Sequence, residues 1–489
     1  MRGQHAGARA AITDRLVDYI SAACLLLPRE LFLQAGGFDL AYEPAYYEDV
    51  DLCLKLTALG RPVKLVAAVD VVHLEGFSTG AQAMPSLRKQ ALGELNRAKF
   101  VSRWRGYLLD RDQASLQAVH AALLQPELPA SPARPTRRAL IYSPHNLTAG
   151  GGERYLLTLA AALTDDHAVT IAVPYAYSHL RLRQLGAEFG INLAACEVAC
   201  LTDLSGEWDV MAVLGNHVVP PIAARGKRSF FICQFPFPLP LGSTIDPALV
   251  AGYNTILAYS DYARRNIEAA LARHALPPRP VEVLYPPVPQ ASAGGAAKRT
   301  RILTVGRFFS GGHNKRHDLL IKAFRVLHER HGDGVEFHLA GSSMPDPQHM
   351  DYVGRLQELA VGLPVVFHVN AAPQLLDTLY QEATIYWHGT GLQEDLRKSP
   401  ELAEHFGIAI VEAMSAGCVA FALNAGGAPE IITDGVDGCL YDTSDSLVDR
   451  SLSLLRDPAQ CEAIGARARQ RATDFTVARF TRSVHRLVA

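Results

Sequence analysis

The chain lacks a surplus of either charge: its 489 residues carry 47 Lys plus Arg against 49 Asp plus Glu. Neither does it contain a long basic stretch, so the composition provides no nucleic-acid footprint and no strongly charged membrane face. Long hydrophobic runs are missing too. The apolar run from Tyr19 to Pro28 is too short to span a bilayer, and the first fifteen residues are polar, unlike a signal peptide. A cytoplasmic protein is the simplest expectation. A cysteine framework is absent as well, because the eight cysteines are scattered and most lie in apolar runs such as Phe230 to Cys233, as reduced core residues do. Only Cys196 and Cys200 are close together, and no second Cys or His pair stands at zinc-ligand spacing. No metal site is expected.

What is present is a rhythm of short apolar strands and amphipathic helices. A chain of this length exceeds what one hydrophobic core supports, so two or three domains are expected. From Arg301 onward, strands at Ile302 to Val305, Val335 to Leu339 and Val365 to Phe367 alternate with helical spacing at Leu320, Phe324 and Leu327. The same rhythm runs earlier, with strands at Leu140 to Tyr142, Val169 to Val173, Val210 to Leu214, Phe230 to Cys233 and Thr255 to Ala258. Both imply a parallel sheet covered on its two faces. The expected divisions are an N-terminal segment over 1–110, a Pro-rich linker over 111–137, α/β domains over 138–288 and 300–489, and a hinge over 289–299. Four prolines between Gln125 and Arg137 mark the linker, and Ala, Gly, Ser and Pro mark the hinge. The final helix, near Val477 to Val488, is a candidate to pack back across that hinge.

The residues that carry chemistry lie between Glu404 and Cys418. Glu404 and Glu412 are separated by seven residues at the mouth of a short apolar helix. A diphosphate at the amide end of that helix, flanked by these carboxylates, would have its charge and its attached hydroxyls satisfied together. The matching guest is a nucleotide sugar.

Further segments turn this into a family resemblance: Gly150-Gly151-Gly152-Glu153-Arg154, Tyr285-Pro286-Pro287-Val288, Val305-Gly306-Arg307, Glu404 to Gly417, and Gly426-Gly427-Ala428-Pro429-Glu430. In this order, from about Arg138 to the end, they resemble a family 4 glycosyltransferase of the GT-B fold, in which two Rossmann-like domains face each other across a cleft. The resemblance implies a retaining, hexosyltransferase-type enzyme that needs no cofactor or metal and uses a nucleoside diphosphate sugar. Glu412 would hold the ribose hydroxyls, a task suited to a carboxylate that accepts two hydrogen bonds. Glu404 would contact hydroxyls of the transferred sugar. His405, Phe406, Gly407 and Ile408 would offer backbone amides to the diphosphate, with Gly407 permitting close approach. Arg307 and Lys315 would neutralise the departing diphosphate, stabilising charge that grows as the bond breaks. Gly426 and Gly427 form either part of the donor site or an ordinary strand-to-helix turn. Trp387 and His388 either line the cleft or are simple packing.

On the acceptor side, Gly150, Gly151 and Gly152 follow a strand and precede a helix, so they can bring amides to the reacting phosphate from the opposite wall. One departure stands out. Many relatives carry a histidine where this chain has Gln234, and glutamine cannot titrate near neutral pH. Proton transfer would then fall to another group, such as the donor's own phosphate oxygen, His217 or His145.

The segment from about Asp18 to Gly80 resembles the acceptor half of a family 2, GT-A glycosyltransferase, through Ala35-Gly36-Gly37-Phe38-Asp39, Tyr47-Glu48-Asp49-Val50-Asp51-Leu52 and His73. That implies a partial GT-A segment in which Asp49 matches the acceptor base and the nucleotide-binding half is missing. Either a longer two-transferase protein or a decayed docking surface is expected. The function expected of the whole is transfer to a glycan or lipid-linked glycan in surface polysaccharide assembly. Peripheral contact with the inner face of the membrane follows if the acceptor is lipid-linked. The competing class is a non-catalytic nucleotide-sugar-binding or scaffold protein, prompted by the truncated first segment and Gln234.

Overall fold

A computed structural model describes residues 14–43, 46–66, 86–111, 113–124, 135–145, 147–148, 150–174, 179–204, 206–240, 242–243, 245–291, 297–311, 314–343 and 347–488. Contacts divide the chain into two compact units, Met1–Ser131 with Ser178–Leu182, and Pro132–Tyr177 with Arg183–Ala489. His73, most of the Pro-rich stretch and the centre of the expected hinge lie outside the described residues.

In the first unit, β1 (Arg15–Val17) pairs antiparallel with β2 (Val63–Leu65), and the other described elements are helical. Its core gathers Tyr42, Leu54, Phe100, Trp104, Tyr107 and Leu116. Leu116 belongs to a helix over Gln113–Leu124, inside the span expected to be linker. Buried Leu116 and His120, with Val119 packed beside the core, follow the spacing of one helical face, a short signal that the neighbouring prolines obscure.

The second unit contains two parallel sheets. One is built from β3 (Arg137–Tyr142), β4 (His167–Val173), β5 (Glu197–Cys200), β6 (Trp208–Gly215), β7 (Gly226–Cys233), β8 (Thr255–Ala258) and β9 (Val281–Val283), in the order β5-β4-β3-β6-β7-β8-β9. The other is built from β10 (Arg299–Val305), β11 (Glu336–Gly341), β12 (Val365–Val369), β13 (Ala383–His388), β14 (Val419–Leu423) and β15 (Cys439–Tyr441), in the order β12-β11-β10-β13-β14-β15. Their strands are near-continuous apolar runs, as burial on both faces requires. Strand order reverses at β3/β6 in one sheet and at β10/β13 in the other. A ligand crevice is expected at the carboxyl ends of those strands.

The chain passes between the sheets twice, and the two passages lie together: the Val288 amide donates to the Phe475 carbonyl at 2.8 Å. The helix Val477–Val488 then lies against the first sheet's domain. Phe480 meets the Tyr155 ring edge-on at 5.0 Å, and the His485 ring reaches the Ala162 carbonyl at 2.7 Å. Among the described residues, no helix is long and apolar enough to cross a membrane.

Candidate active site

At the β10/β13 reversal, three charged or polar side chains converge. Lys315 Nζ lies 2.7 Å from Glu404 Oε2, and His388 Nε2 lies 2.7 Å from the same oxygen. Glycine makes the approach possible: a Cβ on Gly306 would sit 2.6 Å from Lys315 Cγ, so only a bare backbone lets the lysine stem cross the strand end. His388 is buried, and burial holds its imidazole below the usual value, against the pull of Glu404. Trp387, its neighbour on β13, points into the core instead and donates to Ser451 Oγ at 3.0 Å. Arg307 sits at the exposed end of β10. It makes no ion pair with a described carboxylate, and its guanidinium lies 5.9 Å from the centre of the Phe309 ring. The crevice thus holds one cation engaged by Glu404, and at the strand end Arg307 adds a second with no ion-pair partner among the described residues, which favours an anionic ligand.

Beyond Glu404 the chain turns through Gly407 at φ 114 and enters the helix Ile408–Ser415. Helix geometry leaves its first amides without intrahelical acceptors, at the positive end of the dipole. The Glu412 carboxylate is engaged on both oxygens. The Tyr380 hydroxyl donates to Oε2 at 3.0 Å, and Arg154 donates to Oε1 at 2.8 Å.

Gly426 and Gly427 support this loop from behind. The Gly427 amide donates to the Glu404 carbonyl at 2.7 Å, and a Cβ on Gly427 would lie 2.5 Å from the His405 carbonyl oxygen. Gly426 has φ 68, and a Cβ there would strike the Glu404 carbonyl. Gly426→Ala is therefore expected to lower stability by about 1–3 kcal/mol, through backbone strain and displacement of Glu404. Thermal unfolding would record the loss; a melting temperature equal to that of the parent would show that the turn has room to relax.

From the facing domain, the helix Gly151–Leu163 presents its glycine-rich start. A Cβ on Gly151 would lie 3.0 Å from Ile408 Cδ1, and one on Gly152 would strike the Gln234 amide. Gly150, Gly151, Gly152 and Gln234 are therefore neighbours opposite the donor helix. His145 and His217 lie nearby: the His145 ring contacts Asn216 at 3.3 Å, and the His217 ring meets the Phe237 carbonyl at 3.1 Å.

Two of the expected donor residues have side chains with other work. The His405 ring stacks on Phe235 at 4.1 Å, its imidazole pushed down to about 4 by burial, and its carbonyl accepts from Ser260 Oγ. Phe406 packs against Tyr285 and Phe475 where the chain passes between the sheets. Glu430 spans the same interface. Its carboxylate accepts from the Asp261 and Tyr262 amides, each at 2.7 Å, capping the helix Asp261–Arg273 of the other domain. Sequence reasoning gave no role to Arg154 or Tyr380 and did not foresee this cap. Arg154 stands inside the glycine motif, but nothing local indicates a partner 258 residues away.

In the first unit, the acidic residues begin the helix Glu48–Ala58, entered through Tyr46 and Tyr47, both at φ 77. Glu48 is pushed up by burial, and Asp49 accepts from the Ala22 amide at 3.2 Å and the Val50 amide at 2.8 Å. Asp51 was expected beside them as a site residue and is instead fully buried. It is bound by Lys55 at 2.7 Å, Arg103 at 2.9 Å, Trp104 Nε1 at 2.8 Å and the Tyr42 hydroxyl at 3.2 Å. One helical turn cannot point residues two apart to the same side, so Asp51 enters the core.

Residues 291–471 match the family model described as glycosyl transferases group 1. Among curated proteins, the chain is 41% identical over 68 residues to N-acetylglucosaminyl-diphospho-decaprenol L-rhamnosyltransferase of Mycobacterium tuberculosis, which is 14% of this chain and 22% of that protein. It is 33% identical over 132 residues to GDP-Man:Man(3)GlcNAc(2)-PP-Dol alpha-1,2-mannosyltransferase of Xenopus laevis, 26% of this chain and 24% of that protein. The chain thus spans less than a quarter of the length of either relative. Among solved structures, HepE of Anabaena in complex with UDP and glucose aligns at TM-score 0.51 and 18% identity, over 72% of this chain and 98% of that one. A glycosyltransferase of Rickettsia africae aligns at TM-score 0.52 and 14% identity, over 72% and 98%. The two parallel sheets of the second unit are those of a GT-B fold.

Proposed function

We propose that this protein is a retaining, family 4-like glycosyltransferase that moves a sugar from a nucleoside diphosphate sugar to a glycan or lipid-linked glycan, in surface polysaccharide assembly. The observation that carries this reading is the convergence of Lys315, Glu404 and His388 at the β10/β13 crevice, with the glycine turn Gly150 to Gly152 against the donor helix. The group 1 match over 291–471 supports it, as do the diphospho-decaprenol and PP-Dol in the names of the two relatives.

In this reading the donor diphosphate lies between the first amides of the helix Ile408–Ser415 and Arg307. Its ribose takes Glu412, and its sugar takes Glu404, held in place by Lys315 and His388. As the sugar–phosphate bond breaks, the leaving oxygens gain charge, and Arg307 stabilises that state more than the ground state. Gln234 can orient an acceptor hydroxyl but not take its proton. That proton passes to the donor's own phosphate oxygen, on the same face as the incoming hydroxyl. No metal is required, and an acceptor that is lipid-linked would be met on the inner face of the membrane.

The test is release of nucleoside diphosphate from a panel of UDP-, GDP- and ADP-sugars, with acceptor glycans present and with and without chelator. Turnover that survives chelation and yields a product of retained anomeric configuration supports the reading. Binding without turnover across the panel would favour the scaffold, and loss of activity on chelation would point to metal-dependent transfer. Glu412→Ala is expected to weaken nucleotide binding about 10–100-fold, the worth of hydrogen bonds to a charged group. Calorimetric titration with the diphosphate of the active donor checks this; unchanged affinity would remove Glu412 from the donor site.

A further inference from the structure

The ribose carboxylate of the donor site is already occupied by the protein itself. Arg154, four residues into the glycine-loop helix of the facing domain, places a guanidinium nitrogen 2.8 Å from Glu412 Oε1, while Tyr380 holds Oε2. Both partners of this ion pair are mostly shielded, at 20% and 22% side-chain exposure, so solvent screens it less than a surface pair. The guanidinium is at the same time held against its own domain, 5.3 Å from the centre of the Phe189 ring.

We propose that Arg154 sets the donor affinity of this site, by holding Glu412 across the cleft when no nucleotide is bound and yielding that carboxylate to the ribose when one arrives. The proposal rests on the reading of Glu412 as the ribose ligand. Two donors compete for Oε1: the guanidinium, which comes from the acceptor-side domain, and a ribose hydroxyl, which comes with the nucleotide. The guanidinium takes one lone pair of Oε1 and neutralises the charge that a ribose hydroxyl would meet, so apparent affinity is lowered by the population of the self-bound state. Arg154 is in this sense a gating residue rather than a catalytic one.

The experiment is a double-mutant cycle on the full chain, with affinities for UDP, GDP and ADP measured by calorimetry for the parent, Arg154→Met, Glu412→Gln and the double variant. Methionine keeps the aliphatic bulk over Phe189 and removes the charge. Arg154→Met is expected to tighten binding of the recognised nucleotide about 5–10-fold, within the usual range of coupling between sites. In the Glu412→Gln background the same change is expected to have little effect, because the carboxylate that Arg154 held is gone. Weaker or unchanged binding by Arg154→Met, with Glu412→Gln still impaired, overturns the gating role and leaves the donor site intact. If Glu412→Gln binds as the parent does, the donor-site reading itself fails. Equal gains from Arg154→Met in both backgrounds would also overturn the proposal. Should Arg154→Met fail to fold, Arg154→Gln tests the same sign with a neutral side chain that can still hydrogen-bond.

Discussion

Arg307→Ala is expected to lower turnover about 10²–10³-fold while changing nucleotide affinity far less, as removal of a group aimed at transition-state charge does. Arg307 is singled out because it is the cation at the crevice with no described carboxylate partner. Its charge is available to leaving oxygens that become fully anionic only as the sugar departs. Lys315 differs, being bound to Glu404 at 2.7 Å, so its removal also takes a cation from Glu404 and leaves that oxygen to His388. Initial rates at saturating donor, set beside calorimetric affinities, separate the two effects. A fall in affinity with turnover intact would make Arg307 a ground-state binding residue and would remove it from the proposed chemistry.

Asp51→Ala is expected to destabilise the first unit by about 3–5 kcal/mol, the cost of removing one partner from a buried charge cluster. Lys55, 2% exposed, would keep its charge in the core without the carboxylate that answers it, and Arg103 would retain only Asp39. The Trp104 indole and the Tyr42 hydroxyl would each lose an acceptor. Denaturant unfolding followed by tryptophan fluorescence is suited to this change, since Trp104 donates directly to Asp51. An unfolding transition that matches the parent would show that Asp51 is not the hub of this core.

Much of the second unit was legible because a buried parallel strand needs a continuous apolar run. Phe230 to Cys233 and Ile302 to Val305 announce themselves in that way and occur in β7 and β10. The short strands β5, β9 and β15 were not legible, since a glutamate opens the first and interrupts the second, and the third is only three residues long. Adjacent residues on one strand show a second limit. Trp387 and His388 were indistinguishable as cleft or core, and alternation on β13 sends one to Ser451 and the other to Glu404. Asp49-Val50-Asp51 shows a third, because a short acidic pattern does not report which carboxylate the helix turns inward.

The amino-acid sequence by itself determined the class of the fold and the residue types grouped around Glu404, Gly407 and Glu412, because apolar periodicity and loop chemistry act between near neighbours. Only the tertiary structure decided which groups meet those residues. Arg154 on Glu412, Lys315 and His388 on Glu404, and Glu430 capping the helix Asp261–Arg273 join positions 16 to 258 residues apart. Hydrogen bonds and ion pairs act over a few ångströms of space, and two facing domains bring into that range side chains whose separation along the chain gives no sign of it.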